Sequence, residues 1–277
     1  MLLARLLILL VFTAVSVTAQ PNADYLRGRE AEKSGDIANA TANYQAVVSR
    51  NSILKEYALW RLARLARATG DLPLERERLR QLLSTAPSSV LADTATLRLS
   101  RSYFESADFP SAAAAAKPLT ASKNVALSRE AALLMGQALA RAGKATEARD
   151  VFAQLVMQMP DASRPDDFAL AAVRELDAVD NKANQTEAEH LLRGSVYQFN
   201  RDFAGARVHY QAVVDQFPQS ATVPNALYQL ARGFYLESRY DEAVKGFQKV
   251  FDTYPDSSSA RDALSFLAST YLRQKVR

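Results

Sequence analysis

The sequence predicts an all-α chain, a solenoid of antiparallel helix pairs. Three observations predict it. The first is composition: alanine and leucine abound, which favours helix, and only 9 Gly and 10 Pro occur in 277 residues. The second is a self-similarity at a nearly fixed period. "RDFAGARVHYQAVVDQFPQS" (Arg201–Ser220) and "RYDEAVKGFQKVFDTYPDS" (Arg239–Ser257) share one plan: a turn, an Ala, an aromatic four residues on, and a Pro twelve residues on. The third is the punctuation between the halves of each unit, where Gly and Pro stand at fixed offsets.

With Ala243 as an anchor, equivalent anchors fall at Ala40, Glu75, Ala112, Ala148 and Ala206, with spacings of 35, 37, 36, 58 and 37 residues. Twelve before each stands a small residue: Gly28, Ala63, Ser100, Gly136, Gly194 and Ala231. It lets two helices approach closely. Four after stand Tyr44, Leu79, Ala116, Phe152, Tyr210 and Phe247, which fill the space toward the next pair. Gly35, Gly70 and Gly143 lie five before their anchors and end the first helix, because Gly enters the left-handed region at little cost. Pro87, Pro160, Pro218 and Pro255 follow the second helix, which they cannot continue. Ser88 or Ser89, Ser220 and Ser257 then stand where the next helix needs an N-cap.

The elements follow in order. Residues 1–19 read as a secretory signal peptide: Arg5, an apolar run from Leu6 to Val17, and small residues at Val17–Ala19. Helix pairs follow over residues 22–160. Residues 161–183, within the long spacing, read as an irregular linker with an extra helix whose face is Phe168, Ala171, Ala172, Leu176 and Val179. Further pairs and a final helix, about Ser258–Gln274, occupy 184–277. That last helix repeats the first half of a unit through Leu264, Leu267, Ala268 and Tyr271. It either caps the stack or belongs to a longer protein.

Function classes narrow by exclusion. The net charge of +4 and a pI near 9.2 come without a Lys/Arg block or an RNA-type aromatic motif, so no nucleic-acid partner is expected. There is no cysteine, which removes disulfides, thiol catalysis, Cys-based zinc sites and a lipidated Cys. No later stretch is apolar enough to cross a bilayer, so no stable membrane insertion is expected after signal cleavage. His190 and His209 lie 19 apart with no metal-ligand or nucleophile motif around them. Asp161, Asp166 and Asp167 lack the spaced oxygens of a calcium loop. No cofactor and no enzymatic activity are expected of this chain.

The pattern of a small residue, an apolar or aromatic residue at +3, Ala at +12, an aromatic at +16 and Pro at +24 resembles the tetratricopeptide repeat. The resemblance runs from Asp24 to Tyr271. Two units depart from it: Glu75 replaces the anchor Ala, and "PSAAAAAKPL" lacks the aromatic. It implies a right-handed solenoid. "LLSTAPSSVLADTATLRLSRSYFESADFPSAA" also resembles the noncatalytic front region of soluble lytic murein transglycosylases, in which a catalytic Glu is followed by Ser. Glu105-Ser106 lacks that family's Gly-Leu-Met-Gln and Ala-Tyr-Asn stretches and falls at a repeat turn. "YQAVVDQFPQSATVPNALYQLARGFY" is similar to periplasmic repeat proteins of outer-membrane assembly and cell division. These resemblances imply a periplasmic scaffold of the cell envelope, with a protein, peptide or peptidoglycan partner. The alternative they leave is the front of a lytic transglycosylase whose catalytic domain lies beyond residue 277.

In tetratricopeptide repeats the position eleven before the anchor lines an inner groove. Here it holds Arg29, Arg64, Arg101 and Arg232. The same face adds Tyr25, Trp60 and Tyr228, then Arg67 and Tyr235, with Tyr57 and Asn225 one turn earlier. Guanidiniums fork onto carboxylates and aromatic rings give rigid contact area, so this set is the expected partner groove. The competing expectation is that each Arg pairs with an acidic residue of a neighbouring repeat.

Overall fold

The computed structural model describes residues 22–159, 161, 163–180 and 184–275. Residues 1–19, read from the sequence as a signal peptide, and Pro160 lie outside the described residues. Among those described there are α-helices and no strand. The helices are α1 (residues 22–34), α2 (Ile37–Ser49), α3 (Lys55–Ala68), α4 (Leu72–Thr85), α5 (Ala92–Glu105), α6 (Phe109–Ala116) and α7 (Val125–Arg141). They continue as α8 (Ala145–Met157), α9 (Asp167–Val179), α10 (Glu187–Phe199), α11 (Phe203–Gln216), α12 (Val223–Leu236), α13 (Tyr240–Thr253) and α14 (Ser258–Lys275). The chain divides into two compact units whose boundary, Ala148/Arg149, falls inside α8.

The repeat frame is the core. All six anchors are buried, from 0 to 2% exposed, Glu75 included. So are all six small residues before them and all six residues four after them. The small residues have a specific neighbour. A Cβ added to Gly28 would meet the Tyr44 ring at 2.7 Å, and one added to Gly194 would meet the Tyr210 ring at 2.9 Å. The second helix of a pair therefore lays its aromatic ring on the backbone of the first. Ser100 fits the same slot by donating its hydroxyl to the carbonyl of Ala112 at 2.8 Å, which satisfies a polar group that burial would otherwise penalise.

The turn between the helices is the same in all six pairs. Five residues before each anchor the backbone has positive φ: Gly35, Gly70 and Gly143 at 77 to 80°, and Ala107, Arg201 and Ser238 at 58 to 62°. The next residue's N–H donates back to the carbonyl five earlier, as from Asp36 to Ala31 and from Asp108 to Tyr103, closing the helix C-terminus. Asp36, Asp71, Asp108 and Asp202 then cap the following helix.

Two local expectations are corrected. Ser89 and Ser220 accept hydrogen bonds from the N–H two residues on, at Leu91 and Thr222, and so shape the approach to the helix. Ser257 alone of the expected serines caps one, accepting from Ala260 N at 3.1 Å. The unit lacking its aromatic also breaks its second helix: α6 ends at Ala116, and Lys117–Ala121 form a 3-10 turn. Pro118 cannot continue the α-helix, and the tighter turn brings Leu119 into the core beside Leu97 and Ala131.

The extra helix is α9. Its buried face is Ala169, Ala172, Val173 and Leu176, rotated from the expected one, and Val179 is 48% exposed. Val173 takes the central place expected of Phe168, and Asp177, one turn further on the same side, faces Arg193 and Tyr197 of α10 and His209 of α11.

Candidate interaction face

Tyr57, Trp60, Arg64 and Arg67 are spaced by 3, 4 and 3 residues on α3, which places them on one face. Tyr57 is 37% exposed, Trp60 is half-buried against the Leu59–Leu79 core, and Arg64 is exposed. Arg64 has no carboxylate partner among the described residues. Its neighbours differ. Arg67 donates to Glu105 at 2.5 Å and to Glu75 at 3.4 Å, and Arg98 donates to Glu75 at 2.6 Å. Glu75 is 1% exposed, so its two guanidiniums replace the water it lost. Arg101 pairs with Glu130 of α7, and Arg61 with Glu32 of α1. Glu105 therefore serves as a partner for Arg67 at the end of α5.

The other groove residues divide between packing and surface. In the first unit, Tyr25 packs at 5.6 Å on Tyr44, and Arg29 is half-buried with no carboxylate partner among the described residues. In the second unit, Tyr228 lies 5.9 Å from both Phe247 and Phe266. Tyr235 meets Phe266 edge-on at 5.4 Å and accepts from Arg273. Arg232 is half-buried and donates to Gln229 at 3.5 Å, while Asn225 is exposed. The structure thus places four of the expected residues on α3 and four on α12, in different units, with Tyr25 and Arg29 on α1 and Arg101 on α5. It commits Arg67 and Arg101 to holding repeats together.

Sequence reasoning missed the largest polar cluster. Asp177 of α9 accepts from Arg193 at 2.8 Å and from Tyr197 at 2.7 Å, and lies 2.9 Å from Nε2 of His209. A carboxylate only accepts, so Nε2 of His209 carries a proton. Nδ1 of His209 lies 3.0 Å from Nδ1 of His190, and one of the two donates to the other. Burial alone would raise the Asp177 carboxyl. Its hydrogen bonds from His209, Tyr197 and Arg193 outweigh that and hold it down, at about 2. Arg193 also pairs with Asp180, which accepts from Arg149. His190 and His209 are 0 and 1% exposed, which closes them to a substrate. The available signal was the pairing of His190 and His209 at the two frame positions, sixteen before and three after Ala206, that face each other across a helix pair.

Among the described residues no group of three or more His, Asp or Glu is placed to hold a metal ion, and no helix is long and apolar enough to cross a membrane.

Family models described as tetratricopeptide repeat match residues 25–90 and 97–168, and another of the same description matches 190–220 and 225–257. Residues 169–189, which neither matches, fall within the lengthened repeat spacing. No curated protein matches the chain. Similar solved structures include a tetratricopeptide repeat protein from Parabacteroides merdae, at 14% identity and a TM-score of 0.46, covering 90% of this chain and 99% of that one. Another is the C-terminal part of a repeat-containing protein from Cytophaga hutchinsonii, at 14% and 0.47, covering 88% and 87%. A third is PilF of Pseudomonas aeruginosa, at 13% and 0.41, covering 90% and 99%. The matched repeats together span most of the sequence, and the buried frame positions are those of helix pairs: the chain belongs to the tetratricopeptide repeat family.

Proposed function

We propose that this chain is an exported, non-catalytic scaffold of the cell envelope that binds a carboxylate-bearing partner on the α3 face. One observation carries the reading. Of the arginines on the first helices of the first unit's second and third pairs, Arg61, Arg67, Arg98 and Arg101 are ion-paired. Arg64 stands exposed without a carboxylate partner among the described residues, one turn beyond Trp60 and two beyond Tyr57 on the same helix face. An exposed guanidinium beside two aromatic faces suits a peptide carboxylate or the stem peptides of peptidoglycan. The leader and the resemblance to periplasmic repeat proteins support export to the periplasm.

Two experiments test it. An alkaline phosphatase fusion after residue 30 should be active, and inactivity refutes export. Pull-downs of envelope extract and of muropeptides, with wild type and Arg64→Gln/Trp60→Ala, should show a partner that the variant loses and that rising salt releases. Equal retention by a folded variant refutes the α3 face. Retention of muropeptides alone identifies peptidoglycan, and retention of a protein alone identifies a peptide partner.

A further inference from the structure

α14 breaks a rule that the six helix pairs obey. In each pair, the small residue twelve before the anchor is buried. The seventh such position is Ala268, and it is exposed. So are its neighbours on the same face, Leu264 at 50%, Tyr271 at 43% and Leu272 at 68%. The opposite face, through Ala260, Ala263 and Thr270, is buried against the preceding pair. α14 thus keeps the surface of a first helix with nothing over it among the described residues.

The rest of the molecule shows what such a surface takes. An aromatic ring sits on the small residue, Tyr44 on Gly28 and Tyr210 on Gly194. α14 carries both halves of that contact on one exposed face: Ser265 and Ala268 as small residues, Tyr271 as the ring. They are arranged symmetrically. An antiparallel two-fold centred on Ala268 sets Leu264 opposite Leu272 and Ser265 opposite Tyr271, each pair occurring twice. A closed two-fold interface needs such self-complementarity. We propose that α14 pairs antiparallel with α14 of a second copy of this chain. Ala268 meets its equivalent at the centre, and each Tyr271 ring lies over the other copy's Ser265.

A standard interface buries about 800 Å² per partner, more than one helix face provides, so the dimer is reversible and concentration-dependent. Sedimentation velocity of the purified protein should show monomer at low micromolar and dimer at high micromolar concentration. Leu264→Glu/Leu272→Glu should weaken association at least tenfold while leaving the circular dichroism spectrum unchanged. The chain has no cysteine, so Ala268→Cys introduces a single thiol at the predicted centre. It should oxidise to a covalent dimer, whereas Phe251→Cys on the exposed surface of α13 should not. A wild type that stays monomeric throughout overturns the proposal, whether a partner or further chain covers the face. A dimer indifferent to the double variant, or equal crosslinking by both cysteines, also overturns it.

Discussion

The two units meet the same demands by different means. In the first, three of four intra-pair turns use Gly at the positive-φ position, and Asp caps three of the second helices. In the second, both such turns use a side-chain-bearing residue, Arg201 and Ser238, and Arg239, which precedes α13, gives it no side-chain cap. Each unit also sets a carboxylate against guanidiniums, buried in the first and partly buried in the second. Glu75 lies within the repeat frame, held by Arg67 and Arg98, which are each 29% exposed. Asp177 comes from outside the frame and holds Arg193, which is 4% exposed, together with Tyr197 and His209. The first unit is specified mainly by local backbone chemistry. The second leans on a long-range polar network whose members all have to be present.

The most damaging single change should therefore fall in the second unit. Asp177→Ala leaves a buried guanidinium, a phenol and an imidazole without their shared acceptor. Breaking a buried pair on one side costs about 3–5 kcal/mol. Urea unfolding should show the loss, and an unchanged midpoint would remove the network from any account of this unit.

Acid should separate the units next. The Asp177 carboxyl sits at about 2 in the fold against an ordinary 3.8. Its ionised form favours the folded state, so this contribution is complete above about pH 4 and is lost as pH falls toward 2. Asp161, Glu187, Glu189, Asp202 and Glu242 are also held below their ordinary values in the second unit, against Asp36 in the first. Trp60 is the only tryptophan and lies in the first unit. On acidification, helical circular dichroism should start to fall at a higher pH than the Trp60 fluorescence changes. Coincident transitions would deny the difference between the units.

Glu75→Ala restores the frame residue and should cost less than Asp177→Ala, about 1–2 kcal/mol. Arg67 keeps Glu105, and both guanidiniums can regain water. A cost equal to that of Asp177→Ala would make the two burials equivalent.

These contrasts also explain what could be read in the sequence. Anchors, small residues and rings were legible because close helix approach repeats one steric demand at one spacing. Glu75 was legible only as a misfit, since its partners Arg67 and Arg98 lie eight and twenty-three residues away on separate helices. The pairing that consumes Arg67 and Arg101 was indistinguishable from a groove, because an arginine on that face suits a partner or a neighbouring repeat equally well. Asp177 was invisible: α9 has no counterpart in the other repeats, so no periodicity pointed to it. The turns at Ala107, Arg201 and Ser238 were hidden because the backbone repeats there while the residue type does not.

The smallest prediction tests those turns. Ala107 holds φ 58°, where the left-handed region costs an L-residue about 1–2 kcal/mol. Glycine relieves that strain but loses more backbone entropy on folding, about 0.5–1 kcal/mol. Ala107→Gly should therefore stabilise the protein by several tenths of a kcal/mol, a rise of about 1–2 °C for a unit of this size. Gly70→Ala should do the reverse by a similar amount. Nothing lies within 4 Å of a Cβ added at Gly70, so the cost there is conformational alone. Arg201→Gly should gain less than Ala107→Gly, because it also gives up the guanidinium lying 5.9 Å from the Phe203 ring. If Ala107→Gly lowers the melting temperature, the non-glycine turns are not strained, and the contrast between the units rests on their polar networks alone.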